Sequence, residues 1–157
     1  MDSQLKSYLE KNKINYELYN HSPVFTAEES KKIKTNIPGL GTKSLFLKDE
    51  NAQFYLICLP GEKRLNTKII KKKFSIKELQ FASSAELKEE LNVSPGSVSL
   101  FCMIHAKKTT LILSKEIWLS HLSGFHPNIN TATIVLSHEN LKNLYNSLKA
   151  EKYIIEL

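Results

Sequence analysis

The chain has 157 residues, 41% of them hydrophobic, which is enough for one domain with a substantial core and too short for two. Charged residues make up 24% of the chain, and no stretch approaches the roughly 18 apolar residues that a membrane-spanning helix needs. The polar beginning of the chain lacks the apolar core of a signal peptide, so we expect one cytoplasmic domain over residues 1–157 with no membrane partner.

Capping residues and helical spacing predict five helices. Asp2 or Ser3 can cap the first helix and Asn66 the third. The second and fourth helices begin with capping boxes, in which a Ser or Thr hydroxyl and a Glu carboxylate satisfy each other's free backbone amides. The predicted helices cover about residues 3–13, 26–35, 67–74, 85–91 and 139–149.

Short β-rich runs bounded by turn residues predict the strands. The clearest is a hairpin in KSLFLKDENAQFYLICL, where a polar turn at residues 49–52 joins two strands. VSLFCMIH is expected to pair with TTLILS across a turn at Lys107 and Lys108. The remaining predicted strands are YELYN, LQFAS, TATIVLS and YIIEL.

Most neighbouring strands are joined by short turns rather than by crossover helices. This pattern favours an α+β fold with a mixed, largely antiparallel sheet. The chain has no glycine-rich phosphate loop, so a nucleotide-hydrolysing or dinucleotide-binding fold is unsupported and no cofactor is expected. Cys58 and Cys102 stand in apolar runs with no metal-ligand spacing, which indicates core residues and no metal site.

The net charge of +6 favours a polyanionic partner, of which nucleic acid is the obvious candidate. Lysines are concentrated in ESKKIKTN, GEKRLNTKIIKKK and HAKKTT. Charge alone does not establish such a partner. Lysine runs usually form solvated faces, and abundant Lys, Asn and Ile are also typical of an AT-rich genome.

Four polar segments stand in predicted loops or at strand ends, where binding and catalytic residues are often found. Taken singly, each is compatible with a purely structural role: Lys43 as a surface lysine, Gly96 as part of a type II turn, and His126 as a structural histidine. No Ser-His-Asp order, nucleophile elbow or zinc spacing accompanies them. The segments are HSPVFT (21–26), PGLGTKS (38–44), SPGS (94–97) and GFHPNINTAT (124–133).

Together and in this order, these segments resemble the prolyl-tRNA editing-domain family of aminoacyl-tRNA deacylases, the YbaK/ProX type. The resemblance runs nearly end to end, and the free-standing deacylases that remove alanine from proline tRNA are the most similar members. It implies a partly barrel-like mixed sheet flanked by helices. It also implies an enzyme that hydrolyses the ester between a wrong amino acid and tRNA, with prolyl-tRNA synthetase as a further partner.

The resemblance assigns roles to residues that match the family motifs. Lys43 matches the lysine that engages the 3′-terminal adenosine end of the tRNA. Gly96 begins the loop whose backbone amides approach the substrate carbonyl. His126 matches a pocket histidine that helps to select the aminoacyl group.

An aminoacyl ester is already reactive, so the protein need not supply a nucleophile. We expect water to attack with help from the substrate's 2′-hydroxyl, while the backbone amides of Gly96, Ser97 and Val98 stabilise the oxyanion. Lys43 supplies a charge suited to phosphate. No residue in the sequence establishes this route by itself.

The expected pocket is small, with walls from His126, Ile33 and Ile37. Asn130, in the same loop as His126, is included among the substrate-binding residues, and with Thr131 it is expected to brace that loop. A small pocket that excludes proline by size favours alanine on proline tRNA as the substrate.

Several positions depart from the family pattern, and they leave two alternatives open. Ser44 replaces the motif asparagine and Leu100 a common proline, while Leu40 and Gly41 replace a small residue and a histidine. Together with Cys102 in the segment CMIHA, the changes at residues 40–41 allow cysteine on proline tRNA as the substrate. The changes at Ser44 and Leu100 allow a tRNA-binding module without catalysis.

Overall fold

A computed structural model describes residues 1–23, 32 and 36–157. The second predicted helix, residues 26–35, lies outside the described residues apart from Lys32. The described α-helices are α1 (Ser3–Lys11), α2 (Thr67–Phe74), α3 (Ser84–Leu91), α4 (Lys115–Leu119) and α5 (His138–Ser147). The strands are β1 (Glu17–Asn20), β2 (Leu40–Asp49), β3 (Phe54–Pro60), β4 (Leu79–Phe81), β5 (Thr109–Ser114), β6 (Leu122–Phe125), β7 (Ala132–Ser137) and β8 (Lys152–Ile155).

Helix starts lie where short polar side chains precede apolar periodic segments, as predicted. Asp2, Asn66 and Ser137 each accept a hydrogen bond from an amide of the first turn that follows them. At α3 the predicted capping box is confirmed, because the Ser83 side chain accepts from the Glu86 amide and the Glu86 carboxylate accepts from the Ser83 amide. These starts are local in sequence, so the chain specifies them without long-range contacts.

The strands form one mixed sheet in the order β1-β7-β6-β2-β3-β5-β8, with β4 added to β2. Four of the pairings between described strands are antiparallel and three are parallel. The predicted hairpin is confirmed, with Leu45 opposite Ile57. The expected α+β fold with a mixed sheet is therefore confirmed, and the sheet is open, with β1 and β8 at its ends.

Apolar residues cover both faces of the sheet, and β3 is buried along its whole length. Alternate residues of a strand point to opposite faces, so Leu56 and Cys58 join one core cluster while Ile57 and Leu59 join the other. Helices α1, α3 and α5 pack on the first cluster, and α2 packs on the second. No helix in the described part of the chain is long and apolar enough to span a bilayer.

One predicted strand is wrong. VSLFCMIH was expected to pair with TTLILS, but Leu100–His105 forms a 3-10 helix, and β5 pairs in parallel with β3 and β8 instead. The side chain of Ser99 caps this helix by accepting from the amide of Phe101 at 3.2 Å. A short, wholly apolar run is compatible with either a buried strand or a buried helix, so its periodicity could not separate the two.

Two elements had not been predicted. Helix α4 has only five residues, and β6 has four, two of which are Ser123 and Gly124. Small residues have weak strand preference, so β6 depends on its neighbours: it pairs with β7 in antiparallel and with β2 in parallel orientation.

Candidate functional site

Part of one edge of the central strand β2 has no partner among the described strands. One edge pairs with β3, whereas the other pairs with β6 only at residues 40–41 and with β4 only at residues 47–49. The Phe46 carbonyl accepts a hydrogen bond from the Ala82 amide at 3.1 Å, so Phe46 directs its backbone groups towards the β4 edge. Alternate residues of a strand face the same edge, and the N–H and C=O of Ser44 therefore face the gap between β4 and β6.

A cavity of about 520 Å³ occupies this gap. Its base is β2, and its walls come from the turn before β2, the start of α3, the Pro95 turn, β6 and β7. Apolar side chains such as Ile37, Phe46 and Phe125 provide much of the lining, and polar groups stand among them. This size and mixture are typical of sites that hold a small molecule or a nucleoside-sized group.

The cavity brings together most of the residues predicted to form a site. Five of the predicted residues line it: Lys43, Gly96, Val98, His126 and Ile37. Ser97 and Asn130 are not among the lining residues. Ile33 lies outside the described residues.

The Pro95-Gly96 segment forms the predicted type II turn. Gly96 has φ +89°, and the Ser97 amide donates to the Ser94 carbonyl at 3.2 Å. The Ser97 amide is therefore used within the turn, whereas the amides of Gly96 and Val98 have no partner among the described residues. A Cβ on Gly96 would meet no described atom within 4 Å, so glycine is required here by its positive φ rather than by close packing.

Lys43 lies on β2 opposite Leu59 and is partly buried at the cavity. Within the described residues, no carboxylate lies within 4.0 Å of its amino group. Lys48 on the same strand differs, because its amino group contacts both carboxylate oxygens of Glu86 at 3.0 Å. Lys43 therefore lines the cavity and has no acidic partner among the described residues.

Two histidines form part of the cavity wall. His126 Nδ1 lies 3.0 Å from the Ala132 carbonyl, and a carbonyl can only accept, so Nδ1 carries a proton. His21 Nδ1 likewise donates to the Ser22 carbonyl at 2.8 Å, and His21 Nε2 lies 2.9 Å from Thr133 Oγ1. The two rings meet edge to face with centroids 6.2 Å apart. Backbone carbonyls thus set the orientation of both rings.

The loop carrying His126 is joined to the 3-10 helix by Asn128. Its Oδ1 accepts from Ser99 Oγ and from Cys102 Sγ, each at 3.1 Å, and the residue has φ +63°. Bracing had been expected from Asn130 and Thr131. Thr131 contributes through its carbonyl, which accepts from the amide of His21 at 2.8 Å, but Asn130 has no hydrogen-bond partner among the described residues.

Sequence reasoning had not singled out several residues that shape this site. His21 and Thr42 stand inside quoted motif segments, and Thr42 Oγ1 donates to the Gly124 carbonyl at 2.6 Å. Asn128 also lies within one of the four polar segments, so the sequence already placed all three residues near the candidate site. Phe81 differs, because its side chain lines the cavity yet is 70% exposed, and no local pattern in LQFAS indicates that.

The departures from the family pattern fall in different places. Leu40 and Gly41 line the cavity, and so does Ser44, whose Oγ lies 3.2 Å from Cys58 Sγ. Leu100 is fully buried in the core, and neither it nor Cys102 lines the cavity. The change at residue 100 therefore concerns packing, whereas those at 40, 41 and 44 concern the site itself.

Both cysteines are buried free thiols, as predicted for core residues. Burial raises the pKa of Cys58 to about 12 and that of Cys102 to about 11. Both thiols are therefore protonated at neutral pH and are poor nucleophiles. No group of three or more metal-ligating side chains occurs among the described residues.

Comparison with known proteins is consistent with this geometry. The family model for the aminoacyl-tRNA editing domain matches residues 21–144, a range that contains nearly all of the cavity. The prolyl-tRNA editing protein ProX of Acetoanaerobium sticklandii is 33% identical over 139 residues, covering 87% of this chain and 85% of its own.

Similarity extends to animal proteins and to solved structures. The prolyl-tRNA synthetase associated domain-containing protein 1 of Danio rerio is 27% identical over 142 residues, covering 88% of this chain and 77% of its own. A crystal structure described as a candidate trans-editing enzyme for prolyl-tRNA synthetase superposes with a TM-score of 0.74 at 16% identity. That superposition covers 100% of this chain and 99% of the other, and it supports the fold.

Proposed function

Because this chain belongs to the aminoacyl-tRNA editing-domain family, we propose that it hydrolyses mischarged proline tRNA, with alanine as the preferred amino acid. One observation carries the proposal: Lys43, His126 and two residues whose amides have no partner among the described residues, Gly96 and Val98, all line one cavity. This set provides an anion-binding charge, oxyanion donors and a shaped wall, which together suit an ester that needs positioning rather than a protein nucleophile. The enzyme acts in the cytoplasm, where tRNA is charged.

In the proposed reaction, water attacks the ester carbonyl carbon, and the carbonyl oxygen becomes an oxyanion. The amides of Gly96 and Val98 stabilise that oxyanion, and loss of one such donor typically costs about 100-fold to 1,000-fold in rate. The substrate's 2′-hydroxyl takes a proton from the water and passes one to the 3′-oxygen as the ester bond breaks. Ser97 is assigned to the turn geometry, since its amide already donates to Ser94.

Lys43 is proposed to anchor the 3′ end of the tRNA. A lysine amino group is a compact point charge that suits phosphate, and this one has no acidic partner among the described residues. The nearby backbone N–H and C=O of Ser44 face the same gap and can bond to polar groups of the terminal ribose or the aminoacyl group.

Selection of the amino acid is assigned to the wall formed by His126 and Ile37, with Ile33 as a third proposed contributor. The hydrogen bond to Ala132 fixes the His126 ring, so the wall cannot easily retreat from a larger side chain. Exclusion by size discriminates by roughly 10-fold to 200-fold per methylene. Proline, the correct amino acid, is the larger one here, which makes a small pocket the effective filter.

Phe81 is proposed to stack on the terminal base. It stands on β4 opposite Leu47, four residues along β2 from Lys43, a separation of about 13 Å at 3.3 Å per residue. That distance is comparable with the length of a nucleoside joined to an aminoacyl ester. A 70% exposed aromatic ring at the cavity edge would bury its face against a base, a contact worth about 1–3 kcal/mol.

Hydrolysis of one proline tRNA charged with alanine, cysteine or proline tests the proposal. We expect alanine to be released fastest and proline slowest, and His126→Ala to reduce the difference. Faster release of cysteine would correct the substrate while leaving the enzyme class intact. Rapid release of proline would contradict size exclusion, and no release of any amino acid would favour a tRNA-binding module. Copurification with prolyl-tRNA synthetase would test the proposed partner.

A further inference from the structure

The positive charge of this protein is concentrated in one stretch of the chain. Residues 61–77, here called the basic segment, contain seven of the 22 Lys and Arg residues and one of the 16 Asp and Glu residues. The segment therefore has a net charge of +6, which equals the net charge of the entire chain. The other 140 residues carry 15 basic and 15 acidic side chains and are neutral overall.

The basic segment begins at the cavity. Gly61 is a lining residue, and its amide donates to the Gly41 carbonyl at 2.9 Å, which ties the end of β3 to the start of β2. The chain then turns, with the Lys63 amide donating to the Pro60 carbonyl at 3.0 Å, and enters α2. The basic segment therefore starts at the cavity and continues from it into α2.

Helix α2 presents its charges outward. Ile70 is fully buried in the second core cluster, and Ile69 and Phe74 pack against that cluster. The exposed positions of the helix are lysines: Lys68, Lys72 and Lys73. Because α1, α3 and α5 pack against the other core cluster, the described helices leave this basic face uncovered.

The basic segment forms no ion pair among the described residues, and one of its lysines has an aromatic contact instead, with Lys73 Nζ 5.8 Å from the centroid of the Tyr153 ring. Among the described residues, no carboxylate lies within 4.0 Å of any of its seven cationic groups. Lysines in the last turn of α2 suit the helix dipole, but Lys68 lies in the first turn, where positive charge is unfavourable. Lys68 and Lys72 also repel each other, since residues four apart are neighbours on a helix.

We infer that the basic segment is a docking surface for the phosphate backbone of the tRNA arm whose 3′ end enters the cavity. This inference rests on the proposed function. Helix α2 has eight residues and is about 12 Å long at 1.5 Å per residue. The lysines along it present several point charges to a polyanion. The apolar residues of α2 face the core, so the helix has no apolar face with which to enter a lipid surface.

The test compares two triple variants with the same change of charge. Lys68→Gln/Lys72→Gln/Lys73→Gln removes charge from the basic segment, whereas Lys6→Gln/Lys11→Gln/Lys142→Gln removes three exposed lysines from α1 and α5. The dissociation constant for uncharged proline tRNA is measured over a range of salt concentrations. We expect the first variant to bind at least about 10-fold more weakly, with a salt slope smaller by about two to three, and the second to resemble wild type.

A second measurement separates docking from catalysis. Both variants should hydrolyse a short aminoacyl-CCA oligonucleotide at the wild-type rate, because that substrate ends before the basic segment. The first variant should lose kcat/KM only on full-length charged tRNA, and its thermal unfolding midpoint should stay close to that of wild type, because relief of the Lys68–Lys72 repulsion is offset by loss of positive charge in the last turn of α2.

Four outcomes would overturn the inference: equal losses in both variants, no loss in either, an equal loss on the short substrate, or wild-type binding to anionic vesicles rather than to tRNA. Because uncharged tRNA is the probe, docking is measured independently of hydrolysis. If the wild-type protein binds tRNA through this segment but releases no amino acid, the proposed reaction is contradicted and the docking surface is not.

Discussion

Helices α2 and α3 have eight residues each, and the protein uses their charges in opposite ways. In α3, Glu86 completes the capping box with Ser83 and binds Lys48, while buried Glu90 accepts hydrogen bonds from residues 107–109. In α2, the lysines have no described acidic partner. The two helices thus differ in the pairing of these charges. Glu86 and Glu90 have described partners within the fold, whereas the α2 lysines have no acidic partner among the described residues and are proposed to bind tRNA.

The largest effect on stability is expected from removing Glu90. Its Oε1 accepts from the amides of Lys107 and Lys108 and from Thr109 Oγ1, and the residue is only 4% exposed. Glu90→Ala leaves the buried Thr109 hydroxyl and two partly buried amides without their acceptor, and it should lower the free energy of unfolding by about 3 kcal/mol. Urea denaturation measures this value. Lys72→Gln in α2 is the control, and an equal loss in that control would contradict the comparison of the two helices.

Two lysines on β2 allow the same comparison within one strand. Lys43→Ala should fold normally and lose about 30-fold to 150-fold in kcat/KM, since a charged hydrogen bond to substrate contributes about 2–3 kcal/mol. Lys48→Ala should retain kcat/KM and lower the thermal unfolding midpoint, because its partner is Glu86. Deacylation assays should detect a loss only in Lys43→Ala, and thermal unfolding should detect a loss only in Lys48→Ala. Normal turnover by Lys43→Ala would remove this residue from the site.

A comparison of two exposed apolar side chains tests whether the one at the cavity contributes to substrate binding. Phe81 is 70% exposed at the cavity and Leu119 is 65% exposed elsewhere. Phe81→Ala should raise KM for charged tRNA about 10-fold with little change in kcat, because a base–aromatic contact is worth about 1–3 kcal/mol. Phe81→Trp should restore binding, and Leu119→Ala should have no effect. Equal behaviour of the two alanine variants would rule out stacking.

The smallest expected effect is on the stability of the protein at acidic pH. The Ser83 amide, and then Lys48, hold the pKa of Glu86 below its ordinary value of 4.5. A carboxyl with a lowered folded pKa stabilises the protein above its unfolded pKa, and that contribution disappears as the pH falls through the folded value. Glu86→Gln should therefore show a smaller decrease in unfolding midpoint than wild type between pH 6 and pH 3. An identical decrease in both proteins would show that the pair at α3 does not contribute.

Local signals predicted much of the secondary structure. The capping box of Ser83 and Glu86 and the Asn66 cap act within a few residues, so they could be predicted without knowing the fold. Leu100–His105 could not, because a short apolar run is compatible with a buried strand or helix, and the buried Ser99 cap had not been considered. Strand β6 was missed for a related reason, since its small residues are ordered by β2 and β7.

For the candidate site, the structure shows which of the residues singled out by the motifs lie together. Motif order pointed to Lys43, Gly96 and His126, and these residues do line one cavity although they lie far apart in the sequence. The order of the motifs could not show that the Ser97 amide donates to the Ser94 carbonyl, or that Asn128 rather than Asn130 braces the loop. Hydrogen-bond partners of this kind depend on where each backbone turn points.

By itself the sequence determined the caps, the hairpin, the family motifs and the excess of positive charge, because these depend on residue type and on spacing over short distances. The tertiary structure alone decided where β2 is left unpaired, and therefore where the cavity lies. It also decided which charges are paired. The capping box of Glu86 could be predicted from the sequence, but only the packing of α3 against β2 brings Lys48 to Glu86, while the lysines of α2 receive no acidic neighbour among the described residues.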